Sequence, residues 1–161
     1  MWTVDDEKNQ IIVPIQEIKI KALLDSGVAC VDMQLTFKNM NAESPLECTF
    51  SYPIEKDVVV GKLMCSIDDR VIEAKVKSKG EAKNVYADAV ASGKTAVYAE
   101  RKEAKDEEII SLSVGNLLPG QSAVINLQTM STVQVNNSCY DFTLISAWFP
   151  NYKTHKIIEG S

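Results

Sequence analysis

The side chains that could carry a reaction are few and scattered. The single histidine, His155, lies beyond the last strand-like run. A Ser–His or Cys–His couple would need that terminal segment to fold back onto the domain, so a solvated tail residue is expected there. The cysteines Cys30, Cys48, Cys65 and Cys139 are dispersed with no C-x-x-C pair, and one histidine cannot complete a zinc cluster with them. Cys48 and Cys65 share the alternation phase of apolar strand positions, which predicts reduced core thiols. Asp68-Asp69 are adjacent acids without further converging oxygens, and are expected to form a turn rather than a cation site. Gly80-Glu81 precedes a helical pattern, but Glu81 sets negative charge in the first turn, which suits the helix dipole and repels a phosphate. No G-x-x-x-x-G-K-[ST] or G-x-G-x-x-G is present. The catalytic, cofactor and metal sets are therefore expected to be empty, and the chain is not expected to be an enzyme.

Alternation of period two dominates the elements that would position any site. Ile18, Ile20 and Ala22 fall on one face of a strand, with Glu17, Lys19 and Lys21 opposite. Val31, Met33, Leu35 and Phe37 repeat the pattern after the turn Asp25-Ser26-Gly27. A polar connection, 39–45, leads to Leu46, Cys48, Phe50 and Tyr52 on one phase, and Pro53 is expected to end that strand. Val58–Ile67 and Val71–Lys77 read as strands joined at Asp68-Asp69. The period then changes. Ala82, Val85, Tyr86, Ala89 and Val90 form an apolar helical stripe, with Gly93 placed as its C-terminal cap. Tyr86 is expected to pack in the core. Thr95–Arg101 returns to strand character, and Lys102–Glu108 reads as a charged hairpin tip. Ile109–Val114, Ser122–Val135 and Cys139–Phe149 complete the set. Trp148 is expected in the core, whereas Phe149 and Tyr152 could equally be core or docking surface.

Many short strands around one helix predict a mainly β fold. The expected architecture is a β-sandwich or open barrel of short, mostly antiparallel strands with one α-helix packed across it. Residues 1–10 read as a loose N-terminal segment, 11–150 as the β domain and 151–161 as a C-terminal tail or linker. The 161 residues suffice for one core, and 45% hydrophobic with 24% charged residues is ordinary for a globular chain. A net charge of −5 with no basic run disfavours nucleic acid. No apolar stretch approaches the roughly 20 residues of a membrane helix, so membrane insertion is not expected.

One ordered set of residues goes further. Phe37-Lys38-Asn39 precedes Pro45-Leu46-Glu47-Cys48-Thr49-Phe50-Ser51-Tyr52-Pro53. Glu81, Ala82, Tyr86, Ala89 and Gly93 follow, and then Val114-Gly115-Asn116-Leu117-Leu118-Pro119-Gly120. This set resembles the VIT domain, the module shared by vault-associated ADP-ribosyltransferases and inter-α-trypsin-inhibitor heavy chains. The likeness covers roughly residues 10 to 150, with tyrosine and phenylalanine exchanged at Phe50 and Tyr52. It implies the same β architecture and gives fold-shaping rather than catalytic roles to Asn39, Pro45, Glu47, Phe50, Pro53, Glu81, Ala82, Tyr86, Ala89, Gly93, Gly115, Asn116, Leu117, Pro119 and Gly120. Glu47 and Glu81 would be acceptors for backbone donors. Family members usually carry a von Willebrand A domain next, whose D-x-S-x-S motif is absent here, so the chain is expected to be an excised fragment. A non-catalytic protein-interaction or scaffolding domain is expected, whose partner is the adjacent A domain or another protein; it is expected to be intracellular, since Met1 to Lys8 is acidic and lacks the apolar core of a signal peptide. The alternative is a secreted, extracellular-matrix-associated module of the inhibitor heavy-chain type, with disulfides or a glycan at Asn136.

Overall fold

A computed structural model describes residues 1–4, 10–55, 57–73, 96–104 and 107–144. Within them the chain runs through β1 (Trp2–Val4), β2 (Gln10–Ile12), β3 (Ile15–Asp25), β4 (Val28–Lys38), β5 (Leu46–Ile54) and β6 (Val58–Ile67). It continues through β7 (Arg70–Glu73), β8 (Ala96–Ala104), β9 (Glu107–Leu117), β10 (Ser122–Thr132), β11 (Gln134–Asn136) and β12 (Cys139–Asp141). Two five-stranded antiparallel sheets result, a first in the order β2-β1-β5-β9-β8 and a second in the order β3-β4-β10-β6-β7. The hairpin β11-β12 stands apart.

The alternation explains the layering. Ala29, Val31, Met33, Leu35 and Phe37 of β4, with Ala123, Ile125 and Leu127 of β10, point to one side of the second sheet. Leu46, Cys48, Phe50, Tyr52 and Ile54 of β5, with Ile110, Leu112 and Val114 of β9, meet them from the first. The sheets touch through the rings of Phe37 and Phe50, 6.1 Å apart and edge to face, and Tyr52 Oη donates to Met33 Sδ across 3.6 Å. Each such buried aromatic stabilises by about 2–3 kcal/mol against exposure. Ser26 and Gly27 both take positive φ (51° and 81°), the conformation a two-residue hairpin needs to match strand twist.

Several expectations need correction. Trp2–Val4 is a strand paired to β2 and β5, and Met1 is buried, so the first four residues are not loose. Pro53 does not end β5, because it pairs with Ile109 and the strand runs to Ile54. Proline is tolerated there because β1 pairs in register with β5 only at Thr49, leaving the edge at Pro53 without a ladder partner among the described residues. Lys102, Glu103 and Ala104 pair with Ile109, Glu108 and Glu107, so strand replaces most of the expected charged tip. Ser122–Val135 divides at Val133, whose N–H turns to Gly27 O at 2.8 Å, and the strand from Cys139 stops at Asp141. Nor are the strands short throughout, since β3, β4, β9 and β10 each run 11 residues. The expected helix, with Glu81, Ala82, Tyr86, Ala89 and Gly93, lies outside the described residues, as do Trp148, Phe149, Tyr152 and His155.

β3 differs from its neighbours. Ile18, Ile20, Ala22 and Leu24 are in register with Leu35, Met33, Val31 and Ala29, so they face the core side of the sheet. All four are nonetheless exposed. β2 leads through Val13, which is buried, into β3. Of the β3 side chains, Ile15 alone packs against the core among the described residues.

Candidate functional site

Two constellations are built by this frame. The first lies where the chain changes sheets twice, from β4 to β5 and from β9 to β10. Opposite Glu47, β9 carries an extra residue: Leu46 pairs with Leu117 but Cys48 pairs with Val114. This bulge holds Gly115 and Asn116, with Asn116 left-handed at φ 56°. A bulge takes an N–H out of the ladder, and here Glu47 Oε1 accepts it from Asn116 at 3.1 Å. The β-turn that follows closes with Gln121 N–H donating to Leu118 O at 3.0 Å, with Pro119 at its second position and Gly120 (φ 74°) at its third.

Asn39 ties the two crossings together. It is fully buried, and its Nδ2 donates to Leu117 O at 2.8 Å and to Ser44 O at 3.1 Å. Its Oδ1 accepts from Asn41 N–H at 2.9 Å, its own N–H reaches Gln121 O, and its carbonyl accepts from Gly120 N–H. Gln121 in turn donates to Asp68 Oδ2, which engages that turn acid structurally. Asn39, Glu47, Asn116, Leu117, Pro119 and Gly120 thus meet in one hub. Pro45 begins the approach to β5, Gly115 sits in the bulge, Phe50 lies in the core and Pro53 lies near the far end of β5. The Asn39 amide and the Glu47 carboxylate of the hub both bond to backbone groups of the crossings.

The second constellation is the outward face of the second sheet. Register stacks its side chains in rows: Leu23, Cys30, Met130 and Val59; then Lys21, Asp32, Gln128 and Lys62; then Lys19, Gln34, Asn126 and Met64. The polar rows line a shallow groove of about 420 Å³. Gln128 Nε2 donates to Asp32 Oδ1 at 2.8 Å, and Gln34 Nε2 to Asn126 Oδ1 at 3.1 Å. Lys19 pairs with Glu17 at 2.9 Å in an exposed contact of small worth. Gly61 leaves the ladder as a bulge, and a Cβ there would come within 2.9 Å of Met130 Cε. Residue-by-residue reading did not single out Lys19, Lys21 or Lys62 as a group. Their alternate positions were legible, but joining three strands needs the register.

The thiols divide by depth. Burial pushes Cys48 up to about 12, with Glu47 adding to it and the N-terminus opposing, and burial alone takes Cys65 to about 12. Such thiols stay protonated at neutral pH and are poor nucleophiles. Cys30 is half-buried on the outward face, and Cys139 is exposed; all four are free. Among the described residues no group of three or more His, Cys, Asp or Glu could hold a metal, and no helix is long and apolar enough to cross a membrane.

The chain is 29% identical over 120 residues to mouse von Willebrand factor A domain-containing protein 5A, covering 74% of itself and 15% of that protein. A von Willebrand factor A domain-containing protein of Dictyostelium discoideum is 32% identical over 112 residues, 70% of this chain and 12% of its own length. Human protein mono-ADP-ribosyltransferase PARP4 is 27% identical over 124 residues, 77% of this chain and 7% of that protein. The chain therefore spans less than a fifth of these relatives. The model of the vault protein inter-alpha-trypsin domain matches residues 15–129, a span that holds the hub, the bulge and both crossings. The chain belongs to the vault protein inter-alpha-trypsin domain family.

Proposed function

We propose that this chain is a non-catalytic protein-interaction or scaffolding domain of an intracellular, larger protein, and that it packs on a neighbouring von Willebrand A domain or on a partner protein. The observation that supports this reading is that the motif residues Asn39, Glu47, Asn116 and Gly120 are engaged in backbone organisation at the hub. The surface left for function is an exposed β-scaffold. That relatives named for a von Willebrand A domain and for ADP-ribosyl transfer share the module also supports a role separable from any one activity. Its mechanism is surface complementarity without cofactor or metal.

Co-expression of the chain with the A domain of its parent protein, followed by isothermal titration of the separated parts, tests the proposal. A saturable interaction, or a melting temperature raised by the second domain, is expected. Absence of both, together with failure to hold any partner from the native source, would defeat it. The secreted reading draws on one observation: Asn136 of the sequon Asn136-Asn137-Ser138 is exposed at the end of β11. A glycan on Asn136 in the native protein, read by intact mass, would favour that reading over the intracellular one.

A further inference from the structure

We propose that the cavity at the end of the sandwich, where β5 gives way to β6, receives an arginine side chain carried by a partner protein. This rests on the protein-interaction reading and gives it a contact point and a partner chemistry. The cavity measures about 230 Å³, below the roughly 300–1,000 Å³ of sites that hold drug-sized ligands and cofactors. That space suits a single side chain. Its inner walls come from both sheets, Val31 of β4 and Thr129 of β10 on one side, Tyr52 and Ile54 of β5 on the other. Phe142, which follows the last strand and packs against the core, adds an aromatic wall. Glu55, Asp57 and Asp141 line the same cavity, and no lysine, arginine or histidine does so among the described residues.

Acids at a rim are usually no more than solvated turn residues, and Thr129 sets this cavity apart. It is only 7% exposed and stands on the core-facing side of β10, in register with Val31 and Val60. Its hydroxyl has no hydrogen-bond partner among the described residues. No side-chain oxygen among them is sealed from solvent without a partner, so this hydroxyl opens into the cavity. A polar group held out of water in this way carries a cost that a donor in the cavity removes. The acids are positioned around it. Val58 N–H donates to Glu55 O at 3.0 Å in the turn that carries Glu55 and Asp57, and Asp141 is held in the β11-β12 hairpin opposite Gln134. Burial and then Glu55 push the Tyr52 hydroxyl up, which sets that carboxylate beside the aromatic wall. Arginine meets each of these features. Its stem lies along apolar walls while its head stays with the acids. A guanidinium has five donors and no acceptor, enough for the Thr129 oxygen and two carboxylates together, and its plane stacks on aromatic rings. A metal ion fits poorly, because among the described residues no three acids converge closely enough to hold one.

The test titrates this 161-residue chain with N-acetyl-arginine amide, and with the uncharged N-acetyl-citrulline amide as control, followed by NMR. The arginine compound should shift the signals of Val31, Thr129 and Phe142 saturably, and the citrulline compound should bind roughly ten-fold more weakly. Glu55→Gln/Asp57→Asn should weaken arginine binding roughly five-fold. Its melting curve should not change, since both side chains are exposed. Thr129→Val should weaken binding without lowering the melting temperature, because the hydroxyl it removes has no partner in the free chain. No saturable shift at the cavity, equal binding of the citrulline compound, full binding by the acid variant, or a lowered melting temperature in Thr129→Val would each overturn the proposal. Isothermal titration with the neighbouring A domain separates this proposal from the reading beneath it. An interaction that Glu55→Gln/Asp57→Asn leaves at full strength would keep the interaction reading while removing the cavity from it. A chain that takes up the arginine compound but holds no protein would be a site for a free guanidinium compound, and both the partner assignment and the interaction reading would fall.

Discussion

The hub around Asn39 and the edge at β3 solve opposite problems. At the hub, polar groups are taken out of water, and the Asn39 amide is satisfied on every side by Leu117, Ser44 and Asn41. At β3, apolar groups on the core side of a sheet are left in water. A buried polar group with all its bonds made specifies a fold, whereas an exposed apolar strip along an unpaired edge is a surface to be covered. Stability should therefore respond far more to the hub than to the edge.

The largest expected effect breaks the hub. Asn39→Ala removes two donors and one acceptor and strands buried carbonyls, at a cost of roughly 3 kcal/mol. For a chain of this size that lowers the melting temperature by about 6–12 °C in a calorimetric scan. An unchanged melting temperature would contradict the structural role given to Asn39.

Alkali should act next, through the core that both regions border. The unfolded thiols release their protons near 9, whereas Cys48 and Cys65 hold theirs to about 12. The folded state thus binds more protons between these values. Stability is fully present below about pH 9 and falls as pH rises, by about 1.4 kcal/mol per unit for each thiol. Tyr52, pushed up to about 12 mainly by burial and further by Glu55, adds to the fall above 10. Urea titrations at pH 8 and pH 10 check this, and Cys65→Ala should flatten the decline. At pH 8 a thiol reagent should label Cys139 and Cys30 before Cys48 or Cys65, and early labelling of either buried thiol would contradict the stated depth.

Glu47→Ala should cost less, about 1 kcal/mol, because it frees one N–H at a solvent-facing bulge. No change in melting temperature would show that water replaces the carboxylate there without penalty. Smallest in stability should be Lys19→Glu/Lys21→Glu, within about 0.5 kcal/mol, as usual for surface substitutions.

How legible these regions were in the sequence differs for a physical reason. The β4, β5 and β10 faces follow from alternation alone, because a strand with sheet on one side and solvent on the other must alternate. β3 carries the same alternation, so its pattern predicts a buried face. That face is nonetheless exposed, because what covers a strand face is set by non-local packing that no window of residues contains. Gly115 and the Pro119-Gly120 pair were readable as backbone punctuation, since a left-handed or preset φ leaves its mark in residue type. That Glu47 serves the bulge across 69 positions was not. Lys102–Ala104 misled because local charge suggests a tip, while a ladder started at Ala96 and Gly115 simply continues through those residues.

Amide hydrogen exchange, followed by mass spectrometry, tests the contrast between hub and edge most directly. The account predicts slow exchange at Asn116, Gly120 and Gln121, whose N–H groups are bonded, and faster exchange along the outer edge of β3. Exchange at the hub as fast as at the edge would contradict it.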